Sequence, residues 1–88
     1  MTETSILEQI RARLTDALVP IELEVLDEGH KHAGHANAGK GHYHVRIVSP
    51  AFAGIAPLKR HRMIYAALEG LMEHGIHALS IEAFAADA

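Results

Sequence analysis

The apolar residues of this chain change their period at Pro20, and that change commits it to a fold mixing helices and strands. Before Pro20, Ile6, Ile10, Leu14 and Leu18 recur at helical spacing. Ser5, followed three places on by Glu8, reads as a capping box, so the first helix is expected over roughly 6–18. From Ile21 the period is two: Ile21, Leu23 and Val25 fall on one face, Glu22 and Glu24 on the other, as in a strand covered on one side and ending near Asp27. Alternation resumes at His42, with Tyr43, Val45 and Ile47 opposite His42, His44 and Arg46. Ser49-Pro50 stops this second strand, and Ala51 to Gly54 have room for no more than a short turn. Pro57 suits the first turn of a second helix, expected over roughly 57–73, whose inward stripe reads Leu58, His61, Ile64, Leu68, Leu71 and Met72 before Gly75. His61 on that stripe is expected to be a hydrogen-bonded core histidine. Leu79 and Ile81, alternating with Ser80 and Glu82, make a third strand beginning near His77.

The order αββαβ gives an α+β fold class: a small three-stranded mixed sheet with helices on one face, in a single domain over 1–88. The first two strands are expected to be antiparallel, and the helix between the second and third to carry a right-handed parallel crossover. This topology returns His77, with His74 near the helix end, to the edge where the first two strands are joined. The start of the second helix, bearing Lys59, Arg60 and Arg62, lies at the opposite edge.

The joining segment, EGHKHAGHANAGKG over 28–41, is expected to form a long loop of the kind that usually carries function. Of the eight histidines in the chain, five (His30, His32, His35, His42 and His44) lie within fifteen consecutive positions. Neutral imidazole is the commonest protein metal ligand, so their density points to a metal. The chain has no cysteine, which excludes a disulfide framework and leaves any thiolate to a partner. A formal charge of -3 disfavours binding of a polyanion by the protein as a whole and leaves room for a local basic patch. No segment approaches the length of an apolar membrane span, and Met1 to Ile6 lack the basic and apolar regions of a secretion signal, so a cytoplasmic location is expected. No Ser/His/Asp or Cys/His constellation and no inward carboxylate pair can be assembled, and an enzyme is not expected.

The segments LEVLDE (23–28), GHYHVRIVSPAFAG (41–54), LKRHRMIY (58–65) and IHALSIEA (76–83) together resemble the BolA family. The resemblance covers roughly 6–84, and RHRMIY followed a dozen residues later by IHALSI is its most specific part. It implies an αββαβ fold similar to class II KH domains, a monothiol glutaredoxin as partner, and either a shared 2Fe-2S cluster or an apo complex. In members with a histidine in the loop between the first two strands, that histidine and the one opening IHAL are cluster ligands, which correspond here to His32 and His77. The loop is about one residue longer than usual, so His30 and His35 stand as auxiliary or alternative ligands. The remaining thiolates would come from the glutaredoxin cysteine and its glutathione, and imidazole in place of thiolate raises a cluster's potential and leaves an exchangeable bond. Where the family commonly has a glutamate before the second strand, this chain has Gly39-Lys40-Gly41-His42-Tyr43. Some members are described as transcriptional regulators, so DNA contacted through Lys59, Arg60 and Arg62 is the alternative. The chain alone is expected to be a monomer or a weak homodimer.

Overall fold

The computed structural model describes residues 5–28 and 41–86. Helix α1 spans Ile6–Leu18, with the Ser5 hydroxyl accepting from the Glu8 amide at 3.2 Å. Ile10, Leu14 and Leu18 form its buried stripe. It stops at Val19, which adopts a left-handed conformation with φ 43° and donates its amide to the Thr15 carbonyl, and Pro20 prevents continuation. A β-branched residue in this region is strained by about 1–2 kcal/mol, and Val19, 70% exposed, recovers little of that by packing.

Strands β1 (Glu22–Asp27), β2 (His42–Ser49) and β3 (Ala78–Ala85) form one sheet in that order. β1 and β2 are antiparallel with Val25 opposite Val45, and β2 and β3 are parallel with Val45 opposite Ile81. The expected mixed three-stranded sheet is therefore present. One face carries Val25, Tyr43, Val45 and Ile47 into the core beside α1, with Leu79 and Ile81 partly buried at its margin. The other face is open: Arg46 lies over the Phe84 ring at 5.3 Å and reaches Glu22 at 3.8 Å. Ile21, expected to share the inward face of β1, precedes the strand and is exposed.

Between β2 and α2 the chain makes a 3-10 turn at Pro50–Phe52. Buried Ser49 holds it, its hydroxyl accepting from the Ala51 amide at 3.1 Å and donating to the Leu18 carbonyl at the end of α1. Phe52 thereby enters the core and becomes fully buried. The short turn matches the expectation from sequence, which did not include the burial of Phe52.

The single long helix expected over 57–73 is two: α2 at Pro57–Ala67 and α3 at Leu71–His74. Gly70, with φ +90°, sits in the break, and both Leu68 and Leu71 remain buried on either side of it. The inward stripe also starts later than expected. Leu58 is 65% exposed, Ile64 is the first fully buried residue of α2, and His61 is only partly buried, its ring making no hydrogen bond with the described residues. Among the described residues no helix is long and apolar enough to cross a membrane.

Candidate functional site

The edge at the start of β3 is assembled around Gly41. Its carbonyl accepts from the amides of His77 at 2.8 Å and Ala78 at 3.1 Å, while the Glu28 amide donates to the His42 carbonyl at 2.8 Å. The described ends of the histidine-rich stretch are thus fixed at one edge of the sheet, Gly41 beside the head of β3 and Glu28 on the other side of β2. Only glycine fits at 41: φ is +74°, and a Cβ there would lie 2.7 Å from the Gly75 oxygen and 2.8 Å from the His77 nitrogen, both backbone atoms. His77 is exposed one residue before the strand, its ring stacked on that of His42 with centroids 6.0 Å apart and planes 13° from parallel. A shallow depression of 290 Å³ adjoins it, with Met72, Glu73 and Ile76 in its wall. His74 is exposed at the end of α3.

Tyr43 follows His42 on the inner face of β2. Burial, and then the Asp27 carboxylate opposite it on β1, push its hydroxyl above the ordinary tyrosine range, so it keeps its proton and cannot serve as a base here. His44 lies on the open face, where its Nε2 is 2.7 Å from a carboxylate oxygen of Glu82 across the β2–β3 pair. Among the described residues no group of three or more His, Asp or Glu converges on a point that could hold a metal ion. The described edge therefore offers imidazole nitrogen but not a complete ligand set.

The opposite end carries the basic residues. Lys59 and Arg62 are exposed, and their side chains make no hydrogen bond or ion pair with the described residues. Arg60 is different. Its Nε donates to the Ile55 carbonyl at 2.7 Å and its Nη1 to the Ala83 carbonyl at 3.1 Å. The amides of Ala78 and Ala86 donate toward β2, so by strand periodicity Ala83 faces the free edge of β3, and Arg60 caps that edge. Its assignment to an anion-binding trio is corrected on this ground: the guanidinium is engaged within the fold, and two cations remain. They stand at a helix start where the N-cap, Ala56, provides no side-chain acceptor, so the first-turn amides are not capped from within.

A family profile described as BolA-like protein matches residues 14–88. The chain belongs to the BolA family. The BolA domain of SufE1 from Arabidopsis thaliana superposes with a TM-score of 0.82 at 45% identity, over 96% of this chain and 95% of that one. The solution structure of BolA1 from Mus musculus gives 0.78 at 36% identity, over 97% of this chain and 68% of the other. In sequence the chain is 46% identical over 82 residues to the SufE-like protein 1, chloroplastic/mitochondrial, of Arabidopsis thaliana, covering 85% of this chain and 22% of that protein. Against the DNA-binding transcriptional regulator BolA of Escherichia coli it is 38% identical, covering 88% of this chain and 72% of the relative. Several curated relatives are longer: the chain spans 49% of the BOLA1 chloroplastic protein of Arabidopsis thaliana and 53% of the mouse BolA-like protein 1.

In this BolA-family chain His77 sits at the expected edge, whereas His30, His32 and His35 lie outside the described residues. Two residues have larger parts at this edge than the sequence suggested. Alternation places His42 only at the head of β2, and the parallel register opposite Ala78 puts its ring against His77. Gly41 looked like one glycine of four in a loop, and its positive φ and two accepted amides make it the seat on which His77 rests. The signal that could have found both is the register itself, which alternation alone leaves unspecified.

Proposed function

We propose that this protein is a non-enzymatic adaptor that pairs with a monothiol glutaredoxin and shares with it a labile 2Fe-2S cluster as cargo, in iron-sulfur trafficking or iron regulation. The observation that carries the proposal is the placement of exposed His77, fixed through its own amide to the last residue of the histidine-rich stretch, in a chain without cysteine. The donor set fits a shared group. Imidazoles from this chain, His77 and His32 with His30 and His35 as alternatives, would supply up to half of the four ligands, and the glutaredoxin cysteine and glutathione the thiolates. His42, stacked on His77, limits the orientations open to that ring.

The test is anaerobic reconstitution of the full chain with a monothiol glutaredoxin, iron, sulfide and glutathione, read by visible circular dichroism. A spectrum specific to the mixed pair is expected. His77→Ala should keep the fold and make the mixed cluster labile; His32→Ala should do the same unless His30 or His35 substitutes. A His32/His77 double alanine variant that still gives the wild-type spectrum refutes the ligand assignment.

A second reading, DNA binding in transcriptional regulation, is favoured by one observation, the exposed side chains of Lys59 and Arg62, which have no partner among the described residues, together with the printed name of the Escherichia coli relative. Two cations release few counterions, so affinity for duplex DNA should be weak, with a salt slope of about -0.9 per phosphate neutralised. A tight, sequence-selective complex at about 150 mM salt would place this reading first.

A further inference from the structure

The exposed face of α2 holds a groove whose aliphatic floor neither reading uses. Ala56, Leu58, Lys59, Arg62, Met63 and Ala66 line an open groove of 590 Å³. Its floor is aliphatic. Leu58, 65% exposed, is spaced with Arg62 and Ala66 at i, i+4 and i+8, so the three form one stripe along the helix. Lys59 and Arg62 project from the same surface with no partner among the described residues, and no carboxylate lines the groove, although the protein carries a formal charge of -3. Acids of the sheet lie elsewhere, with Glu22, Glu24 and Glu82 on the open face of β1 and β3. The molecule therefore presents a small cationic surface with an apolar floor.

We propose that this groove is a docking site for an acidic peptide segment of a partner protein, one that places an aliphatic side chain against Leu58 and Met63 and carboxylates against Lys59 and Arg62. Charge complementarity selects an anion, and the floor selects among anions. A phosphodiester backbone would use the two cations and leave the aliphatic surface in water, and the lining residues include no ring on which a base could stack. A leucine between carboxylates satisfies both parts, in the manner of short segments that anchor in a helix-lined groove. The groove begins beyond the C-terminal end of β2, and His77 stands at its N-terminal end, opposite strand ends separated by roughly 26 Å for eight residues. Both can be occupied at once, and the proposal does not depend on what His77 holds.

The test uses the full chain, labelled with 15N, and two capped probe peptides, Asp-Asp-Leu-Leu-Glu-Asp and its serine counterpart Asp-Asp-Ser-Ser-Glu-Asp. The leucine peptide is expected to shift the amides of 56–66 and to bind about tenfold or more tightly than the serine peptide, the difference expected for burying an aliphatic side chain. Leu58→Ser, a change at an exposed position that leaves the core intact, should bring the two affinities together. The Lys59→Ala/Arg62→Ala double variant should weaken both peptides and flatten their salt dependence. Equal affinities for the two peptides in the wild-type chain, shifts that map away from α2, or no saturable binding at millimolar peptide would each overturn the proposal. Duplex DNA that binds through the same amides more tightly than the leucine peptide at about 150 mM salt would overturn it in favour of nucleic acid.

Discussion

Replacing Gly41 with Ala tests the link between the candidate site and the fold, and Gly54 provides its control. Both glycines have positive φ, +74° and +72°, so alanine at either should cost about 1–2 kcal/mol of left-handed strain. At Gly54 nothing lies within 4 Å of the added Cβ, and the cost should end there. At Gly41 the Cβ would meet the Gly75 oxygen at 2.7 Å and the His77 nitrogen at 2.8 Å. Neither is the far end of a side chain that could turn away, so Gly41 must move off His77 and loosen the two hydrogen bonds its carbonyl accepts. At about 0.5–1.5 kcal/mol for each bond, Gly41→Ala should cost roughly 2–5 kcal/mol in total, about 1–3 kcal/mol more than Gly54→Ala. Urea unfolding followed by far-ultraviolet circular dichroism, fitted with a common slope, measures that excess as a difference in midpoint. In the folded fraction the amide resonances of His77 and Ala78 should move in Gly41→Ala and stay in place in Gly54→Ala. Equal stabilities of the two variants within about 0.5 kcal/mol, or unmoved His77 and Ala78 amides, would refute the reasoning.

Val19→Gly should stabilise the protein by about 0.5–1 kcal/mol, since it removes left-handed strain at an exposed position and gives part of the gain back as chain entropy; a higher melting temperature checks it. The raised Tyr43 pKa has a definite sign: above the ordinary tyrosine value near 10 the unfolded chain loses this proton while the folded chain retains it, so the stabilisation is present below that pH and is lost as pH rises through the folded value. Tyr43→Phe should flatten this alkaline fall in unfolding free energy and remove the late component of the tyrosinate absorbance titration; an unchanged alkaline limb would sink the idea. Arg60→Ala should cost about 1–2 kcal/mol through the partly buried bonds to Ile55 and Ala83, and by uncapping the edge of β3 it should promote self-association visible by sedimentation velocity.

Where sequence and structure agree, a local rule operates without competition. The Ser5 cap and the stripe of Ile10, Leu14 and Leu18 define α1 because nothing distant has to be known. Tyr43, Val45 and Ile47 alternate with polar residues over the whole of β2, and short connections then leave few topologies to consider. The failures have equally specific causes. Leu68 and Leu71 keep one apolar stripe running through the break at Gly70, so periodicity hides the end of α2. Phe52 lies in a three-residue turn too short for any period, and its burial depends on Ser49 bonding to Leu18 at the far end of α1. Leu58 looks inward by type and spacing but precedes the turn at which α2 meets the core. Arg60 looked like a ligand for anions because sequence displays a cation's charge and not the carbonyls it can reach; its acceptors come from before α2 and from β3. At the candidate site the pairing of the histidine-rich stretch with His77 followed from topology, whereas the His42 ring contact required the register.

The seat of His77 is built from groups that meet only when the chain is folded: Gly41 ends one connection, and His77 stands beyond two helices from it. Whatever grips this seam from outside grips the native state and finds no counterpart in the unfolded chain. By mass action an occupant at 100 times its dissociation constant adds about 2.7 kcal/mol to the free energy of unfolding. For a small domain that is a large fraction of a net stability of about 5–15 kcal/mol. A partner that engaged His77 would therefore act as a thermodynamic chaperone for the whole domain, its concentration setting the domain's stability as well as its occupancy.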